Sequence, residues 1–312
     1  LAVSDQPRIP VICGPTGSGK TSIAVSLAST FPIEVISADS RQIIRRLDIG
    51  TAKPSAEEQQ AVRFHLLDLI EPGERYSAYQ FIGDADTAIS DIVSRKRMPV
   101  IVGGTGLYLR ALVDGVIEIE SDNPEVRERL QKEMDKVGPE TMHRRLAEID
   151  PAEAQAIHPN NRIRVLRALE IYELTHQPKS KLMASGAYKK SRYEYDLYCL
   201  LPDRAELYTA IERRVDTMIS AGLLAEVERL VHTGLGPALR KANVIGYDEF
   251  LDYLDNKCTL DQVIAMIKQN TRRYAKRQMT WFRHQLVCPF FEQAGQLREM
   301  IEKDLKAQEK GR

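Results

Sequence analysis

The sequence predicts an α/β protein: a parallel sheet flanked by helices and interrupted by a mostly helical insertion. Three observations lead there. Short continuous apolar runs alternate with helical segments, the pattern of strands buried on both faces and joined by crossover helices. One such run feeds a glycine-rich loop that opens a helix. After Asp114-Gly115 the texture turns charged and helical in period.

The first run, Ile9 to Cys13, enters Gly14-Pro-Thr-Gly-Ser-Gly19-Lys20-Thr21, and Thr21 to Ser29 continues at helical spacing through Ile23, Ala24 and Leu27. A second run, Ile33 to Ala38, ends at Asp39, and a third, Met98 to Val102, stops at Gly103-Gly104. Residues 121–175 read as helices, with Asp122 the expected N-cap and Pro124 in the first turn. QPKSKLMASGAYKKSR, 177–192, reads as a mobile loop, and YEYDLYCLLP, 193–202, as a strand re-entering the sheet. From Asp203 onward the pattern is mostly amphipathic helix. The expected organisation is a first core segment at 1–120, a helical insertion domain at 121–192, and the rest of the core at 193–312.

At 312 residues and 43% hydrophobic, the chain can form one large domain and a smaller one. Lys plus Arg equals Asp plus Glu at 44 each, so any basic surface must come from local segregation. Cys13, Cys199, Cys258 and Cys288 are scattered and form no C-x-x-C pair, which suits reduced thiols and no structural metal. The six histidines show no ligand spacing. No apolar run approaches a membrane span and no signal pattern opens the chain, so the expectation is a cytoplasmic protein. Nothing resembles a heptad seam, and a monomer is expected.

Residues 14–21 fit G-x-x-x-x-G-K-[ST] at every position, in the strand-to-helix context of a P-loop NTPase-like fold. Glycines turn backbone N–H groups toward an anion, Lys20 adds a full positive charge, and Thr21 can hold Mg²⁺. The third run ends in Gly-Gly-Thr-Gly, where nucleotide hydrolysis would favour an acid, so binding a phosphate group is favoured over cleaving it. Asp39, at the carboxyl end of the second run, reads as a metal ligand, a helix cap or a general base. From Gln262 to Phe291 there is no acidic residue, while Lys268, Arg272, Arg273, Lys276, Arg277 and Arg283 accumulate. The spacings 273/277 and 272/276 stack these cations on one side of a helix whose Ile264, Ile267 and Tyr274 could face the core. That predicts a phosphate-backbone surface. Arg162, Arg164 and Arg167, with Lys179 to Arg192, form a second basic group. Trp281 reads as a core anchor rather than a platform for a base.

Six ordered blocks, GPTGSGKT, ISADSRQ with LDIGTAKP, VGGTGLYLRAL, NRIRVLRALE, IGYDEFL and KRQMTWFRHQ, closely resemble the tRNA dimethylallyltransferase (tRNA isopentenyltransferase) family over nearly the whole chain. The resemblance implies transfer of a dimethylallyl group from dimethylallyl diphosphate to N6 of the adenosine 3′ of a tRNA anticodon. It implies that Gly14, Thr16, Gly17, Ser18, Gly19, Lys20, Thr21 with Mg²⁺, and Arg214 hold the diphosphate. Asp39 matches the family's general base, Thr105 a hydroxyl at the reacting centre, and Ser40, Arg41 and Gln42 positions near the target base. The insertion would bear on the anticodon stem. Adenylate isopentenyltransferase shares the core, but the basic helix and long insertion argue for tRNA; a small-molecule kinase is the other alternative. The family commonly has Tyr where this chain has Ile44 and Ala where it has Gly17. The chain also ends without the zinc finger of eukaryotic relatives, which implies the bacterial type.

Overall fold

The structure, a computed structural model, describes residues 8–117, 123–186, 188–189 and 191–310. The chain forms two units, Leu1–Asp114 with Ser191–Arg312, and Gly115–Lys190.

In the first unit, β1 (Ile9–Cys13) leads through the glycine loop to α1 (Lys20–Ala28), then β2 (Ile33–Ala38), α2 (Ala56–Ala61), β3 (Phe64–His65), α3 (Ala78–Ser94), β4 (Met98–Gly103) and α4 (Gly106–Asp114). Residues of β1, β2 and β4 are buried throughout, as strands covered on both faces must be. Capping boxes start α2 at Ser55 with Glu58, and α3 at Ser77 with Gln80.

The second unit contains β5 (Val116–Ile117), α5 (Pro124–Val137), α6 (Pro139–Ile149), α7 (Pro151–Gln155), α8 (Arg162–Thr175), α9 (Lys179–Ala184) and β6 (Tyr188–Lys189). β5 and β6 pair antiparallel, and Leu130, Met134, Met142, Leu146, Val165 and Leu169 fill a core of its own. The expected cap Asp122 lies outside the described residues; the Asn123 side chain accepts from the Glu125 and Val126 N–H groups. The mobile loop expected at 177–192 is instead partly regular. α9 is anchored by Lys179 on Glu153 and by the Ser180 N–H on the Asp150 carboxylate at 2.8 Å.

The chain returns as β7 (Tyr195–Leu200), followed by α10 (Arg204–Ser220), α11 (Leu223–His232), α12 (Gly236–Ala242), α13 (Tyr247–Leu254), α14 (Leu260–Gln285), β8 (Phe290–Phe291) and α15 (Ala294–Lys310). The sheet is six-stranded in the order β3-β2-β4-β1-β7-β8, and every pairing is parallel. The two-residue strands β3 and β8 are too short to show any period in sequence. One core cluster joins strand residues to α1 and α15 through Leu27, Leu297, Ile301 and Leu305; another packs Ile43, Leu47, Val227, Tyr247 and Phe250 around α11 to α14.

Parallel pairing corrects the reading of scattered cysteines. Cys13 and Cys199 are register partners, and Cys199 N–H donates to the carbonyl of Pro289, beside Cys288. The Cys13 thiol is raised well above its ordinary value by hydrogen bonds with Cys199 and Cys288 and by burial. All four cysteines are free thiols. Ile44 is buried in the core cluster packed around α11 to α14. His65 is structural: its Nε2 meets buried Glu34 at 2.7 Å, and Arg95 and Arg97 close the same carboxylate.

Candidate active site

The carboxyl ends of β1, β2 and β4, adjacent strands of one parallel sheet, bring three loops together. The loop after β1 leads to the start of α1, with Gly17 at φ 81° and Gly19 at φ 91°, a left-handed backbone that glycine adopts without steric cost and that suits N–H groups turned toward an anion. A Cβ on Gly17 would meet the Ile211 side chain of α10 at 2.9 Å, so an alanine here would require Ile211 to move aside.

Lys20, at the first position of α1, donates from Nζ to the Pro15 carbonyl at 2.7 Å and toward Ser18 Oγ at 3.5 Å. Burial lowers its proton affinity, the Asp39 carboxylate restores part and the Arg214 guanidinium lowers it again, leaving a pKa of about 8. Arg214 arrives from α10 and is itself shifted down by burial, against the pull of Asp39. Neither cation forms an ion pair with a carboxylate among the described residues. Two such positive charges facing one carboxylate can accept a multiply charged anion.

Asp39 follows β2 directly. No helix begins there, so the helix-cap reading fails; its Oδ1 accepts the Arg41 N–H at 2.8 Å and closes a turn. Its charge raises the phenols of Tyr108, on α4, and Tyr274, on α14; burial is the larger cause for both, and Tyr274 is pushed up to about 12. Thr105 is tied to the same turn from both sides. Its Oγ accepts the Ser40 N–H at 2.9 Å, and its own N–H donates to the Ala38 carbonyl at 3.2 Å. The Thr105 hydroxyl proton remains free to point at a substrate.

Glycine is needed at the end of β4 and the start of α4 because of close approach. A Cβ on Gly103 would lie 2.2 Å from the Ala38 carbonyl oxygen, and one on Gly106 would lie 2.6 Å from the Trp281 ring. Trp281 is therefore a half-buried cover over this loop, not a deep core anchor.

Gln42 holds the Ala52 carbonyl at 2.8 Å with Nε2 and accepts Ser37 Oγ at 3.0 Å, leaving one N–H for further pairing. Arg41 reaches the Ala242 carbonyl at 3.0 Å. The Thr16 N–H is already donated to Gln278 Oε1 at 2.8 Å, so Thr16 can offer an anion only its hydroxyl.

The basic helix needs a correction. Lys268 pairs with Asp216 at 2.6 Å and Arg272 with Glu212 at 2.5 Å, both acids of α10, so these two cations are compensated across the helix interface. Arg273, Lys276, Arg277 and Arg283 meet no acid among the described residues, and Arg277 lies 5.7 Å over the Tyr274 ring. The core side is Val263, Ile267, Ala275, Gln278, Met279 and Phe282; Ile264 and Tyr274 are half-buried. In the second unit Arg162 pairs with Asp135 and Arg167 with Glu170, while Arg164 is exposed.

Among the described residues no three His, Cys, Asp or Glu side chains form a metal cluster. Mg²⁺ does not need one, because it commonly takes one or two protein oxygens together with substrate phosphate and water. The Thr21 hydroxyl, beside Lys20 and committed to no protein partner among the described residues, fits that donor set.

The sequence pointed to no role for Gln278 or Tyr108, and to a core-facing position for Tyr274. For Gln278 a signal existed: it shares the apolar spacing of Ala275, Met279 and Phe282, and a polar amide on a buried face must be hydrogen-bonded.

Comparison with known proteins gives one answer. The family described as IPP transferase matches residues 42–285, and that described as Isopentenyl transferase matches residues 7–71. A tRNA dimethylallyltransferase 1 of Pelobacter propionicus is 48% identical over 88% of this chain and 89% of its own length. A tRNA dimethylallyltransferase 2 of Geotalea uraniireducens is 45% identical over 89% and 90%. The solved tRNA isopentenylpyrophosphate transferase of Bacillus halodurans is 38% identical, covers 98% of this chain and 99% of that one, and superposes with a TM-score of 0.68. A eukaryotic dimethylallyltransferase, solved acting on tRNA, is 30% identical, with a TM-score of 0.76 over 89% of this chain and 70% of that one.

Proposed function

The chain belongs to the IPP transferase family, and on that premise we propose that it transfers the dimethylallyl group of dimethylallyl diphosphate to N6 of the adenosine 3′ of a tRNA anticodon, releasing diphosphate. The observation that carries this reading is the pairing of two unlike half-sites at neighbouring strand ends. One is a phosphate loop with Lys20 and Arg214; the other is the Asp39 carboxylate with the Thr105 hydroxyl.

In the reaction the allylic C–O bond breaks and its electron pair leaves with diphosphate. The N–H groups of Gly17 to Lys20, the Lys20 ammonium and the Arg214 guanidinium oppose the charge that grows there. The Thr21 hydroxyl would hold Mg²⁺, which would supply further neutralisation of the departing diphosphate. As N6 bonds to the allylic carbon it loses a proton, which the Asp39 carboxylate accepts. Thr105, fixed by the Ser40 N–H, lends its hydroxyl at the reacting centre.

An adenine stacked in an anticodon loop must be flipped out at a cost of about a few kcal/mol. Interactions with the RNA backbone offset that cost. Arg273, Lys276 and Arg277 would supply them from α14, while Arg162, Arg164 and Arg167 would bear on the anticodon stem. Ser40, Arg41 and the remaining N–H of Gln42 would lie beside the flipped base. The protein would work in the cytoplasm as a monomer; no helix among the described residues is long and apolar enough to cross a membrane.

The test is to incubate purified protein with Mg²⁺, dimethylallyl diphosphate and either unmodified tRNA or AMP, then search the digested products by mass for prenylated adenosine. Product from tRNA alone supports the reading. Product from AMP would reassign the enzyme to free nucleotide, and ATP turnover without prenylation would overturn the assignment.

A further inference from the structure

Gln278, on the buried face of α14, reaches both half-sites. Its Oε1 accepts the Thr16 N–H of the phosphate loop at 2.8 Å, and its Nε2 donates to the Gly104 carbonyl at 2.8 Å. It is 9% exposed, and a Cβ on Gly104 would come within 2.8 Å of Nε2 and 3.0 Å of the Gly14 carbonyl oxygen. The three groups are thus in van der Waals register, and the amide is oriented by its two partners, one a donor and the other an acceptor.

Only an uncharged side chain of this length with a donor and an acceptor at its tip satisfies both. A carboxylate would turn a second acceptor toward the Gly104 carbonyl, and an apolar residue would leave the buried Gly104 carbonyl unpaired and release the half-buried Thr16 N–H. The linkage continues past Gly104. Thr105 holds the Ala38 carbonyl and the Ser40 N–H, on either side of Asp39, so a shift of Gly104 moves the Asp39 turn relative to the phosphate loop.

We propose that Gln278 is a positioning residue for the transfer: its amide sets the spacing between the diphosphate cradle and the Asp39–Thr105 half-site. The role rests on the prenyl-transfer reading above. Each half-site is complete without Gln278, and what the amide fixes is the distance between leaving group and attacking amine. Misplacement of about 1 Å can cost on the order of 10²-fold in rate while leaving binding of each partner intact.

The experiment compares wild type, Gln278→Leu and Gln278→Glu, with active sites counted by diphosphate binding stoichiometry. For Gln278→Leu, kcat per diphosphate-binding site falls by about 10- to 100-fold, while KM for dimethylallyl diphosphate and for tRNA each stays within about threefold. Gln278→Glu gives a second readout. A protonated glutamic acid can donate to Gly104 and accept from Thr16, so its rate relative to wild type rises as pH falls. Three results overturn the proposal: kcat per binding site unchanged, which leaves only a folding role; KM for dimethylallyl diphosphate raised at constant kcat, which confines Gln278 to the phosphate loop; or a Gln278→Glu to wild-type ratio independent of pH. A wild-type protein that prenylates nothing overturns the reading of the site itself, and is distinguished by that control alone.

Discussion

Lys20 is the residue whose charge the site controls most closely. Burial and Arg214 lower its proton affinity and Asp39 only partly restores it, to a pKa of about 8. The protonated form binds diphosphate, so affinity is complete below that value and declines as pH rises through it. We predict a basic limb near pH 8 in kcat/KM for dimethylallyl diphosphate, displaced upward in kcat because bound diphosphate holds the proton on. Lys20→Arg, if active, should lose that limb. Asp39 gives the second prediction at this scale. Asp39→Asn retains an oxygen for the Arg41 N–H, so the turn survives, but it cannot take the N6 proton. The expected loss in kcat is about 10²- to 10⁴-fold with diphosphate binding unchanged, read by single-turnover kinetics and calorimetry. Lys20, Thr21 and Gly19 were legible because their motif is contiguous; Arg214, on an element far along the chain, was placed beside them by the family resemblance alone, and its effect on the Lys20 charge needed the fold.

Among the elements, α14 divides its cations between two duties. Lys268 and Arg272 fasten it to α10 through Asp216 and Glu212, whereas Arg273, Lys276 and Arg277 meet no acid among the described residues. Replacing Arg273 and Arg277 by Ala should weaken tRNA binding and reduce the slope of log Kd against log salt by about one for each phosphate left without its cation. Lys268→Ala should leave the slope unchanged; filter binding across a salt series decides it. The basic stretch was readable from its lack of acids, yet its division was not, because the compensating carboxylates belong to another helix. The continuous strands β1, β2, β4 and β7 were readable from apolar runs. β3 and β8 were not: two residues form a strand only because a neighbour offers its edge.

For the whole molecule, each unit carries buried clusters of its own among the described residues. The insertion leaves and returns through β5 and β6, whose Val116 and Lys189 are paired neighbours. Replacing residues 117–188 by a short Gly-Ser turn should therefore give a first unit that unfolds cooperatively and binds diphosphate normally, while KM for tRNA rises by about tenfold or more because the cations of the insertion no longer neutralise phosphates. Thermal unfolding, calorimetry and steady-state kinetics test the three parts. The sequence by itself determined the parallel α/β class, the phosphate loop and the ordered blocks that mark the family, because these rest on local period and contiguous motifs. The tertiary structure alone decided what each group faces: three thiols brought together by parallel pairing, two cations of α14 neutralised by α10, and the Gln278 amide joining Thr16 to Gly104. Hydrogen bonds and ion pairs act over a few ångströms in space, and no local pattern records which distant segment will come that close.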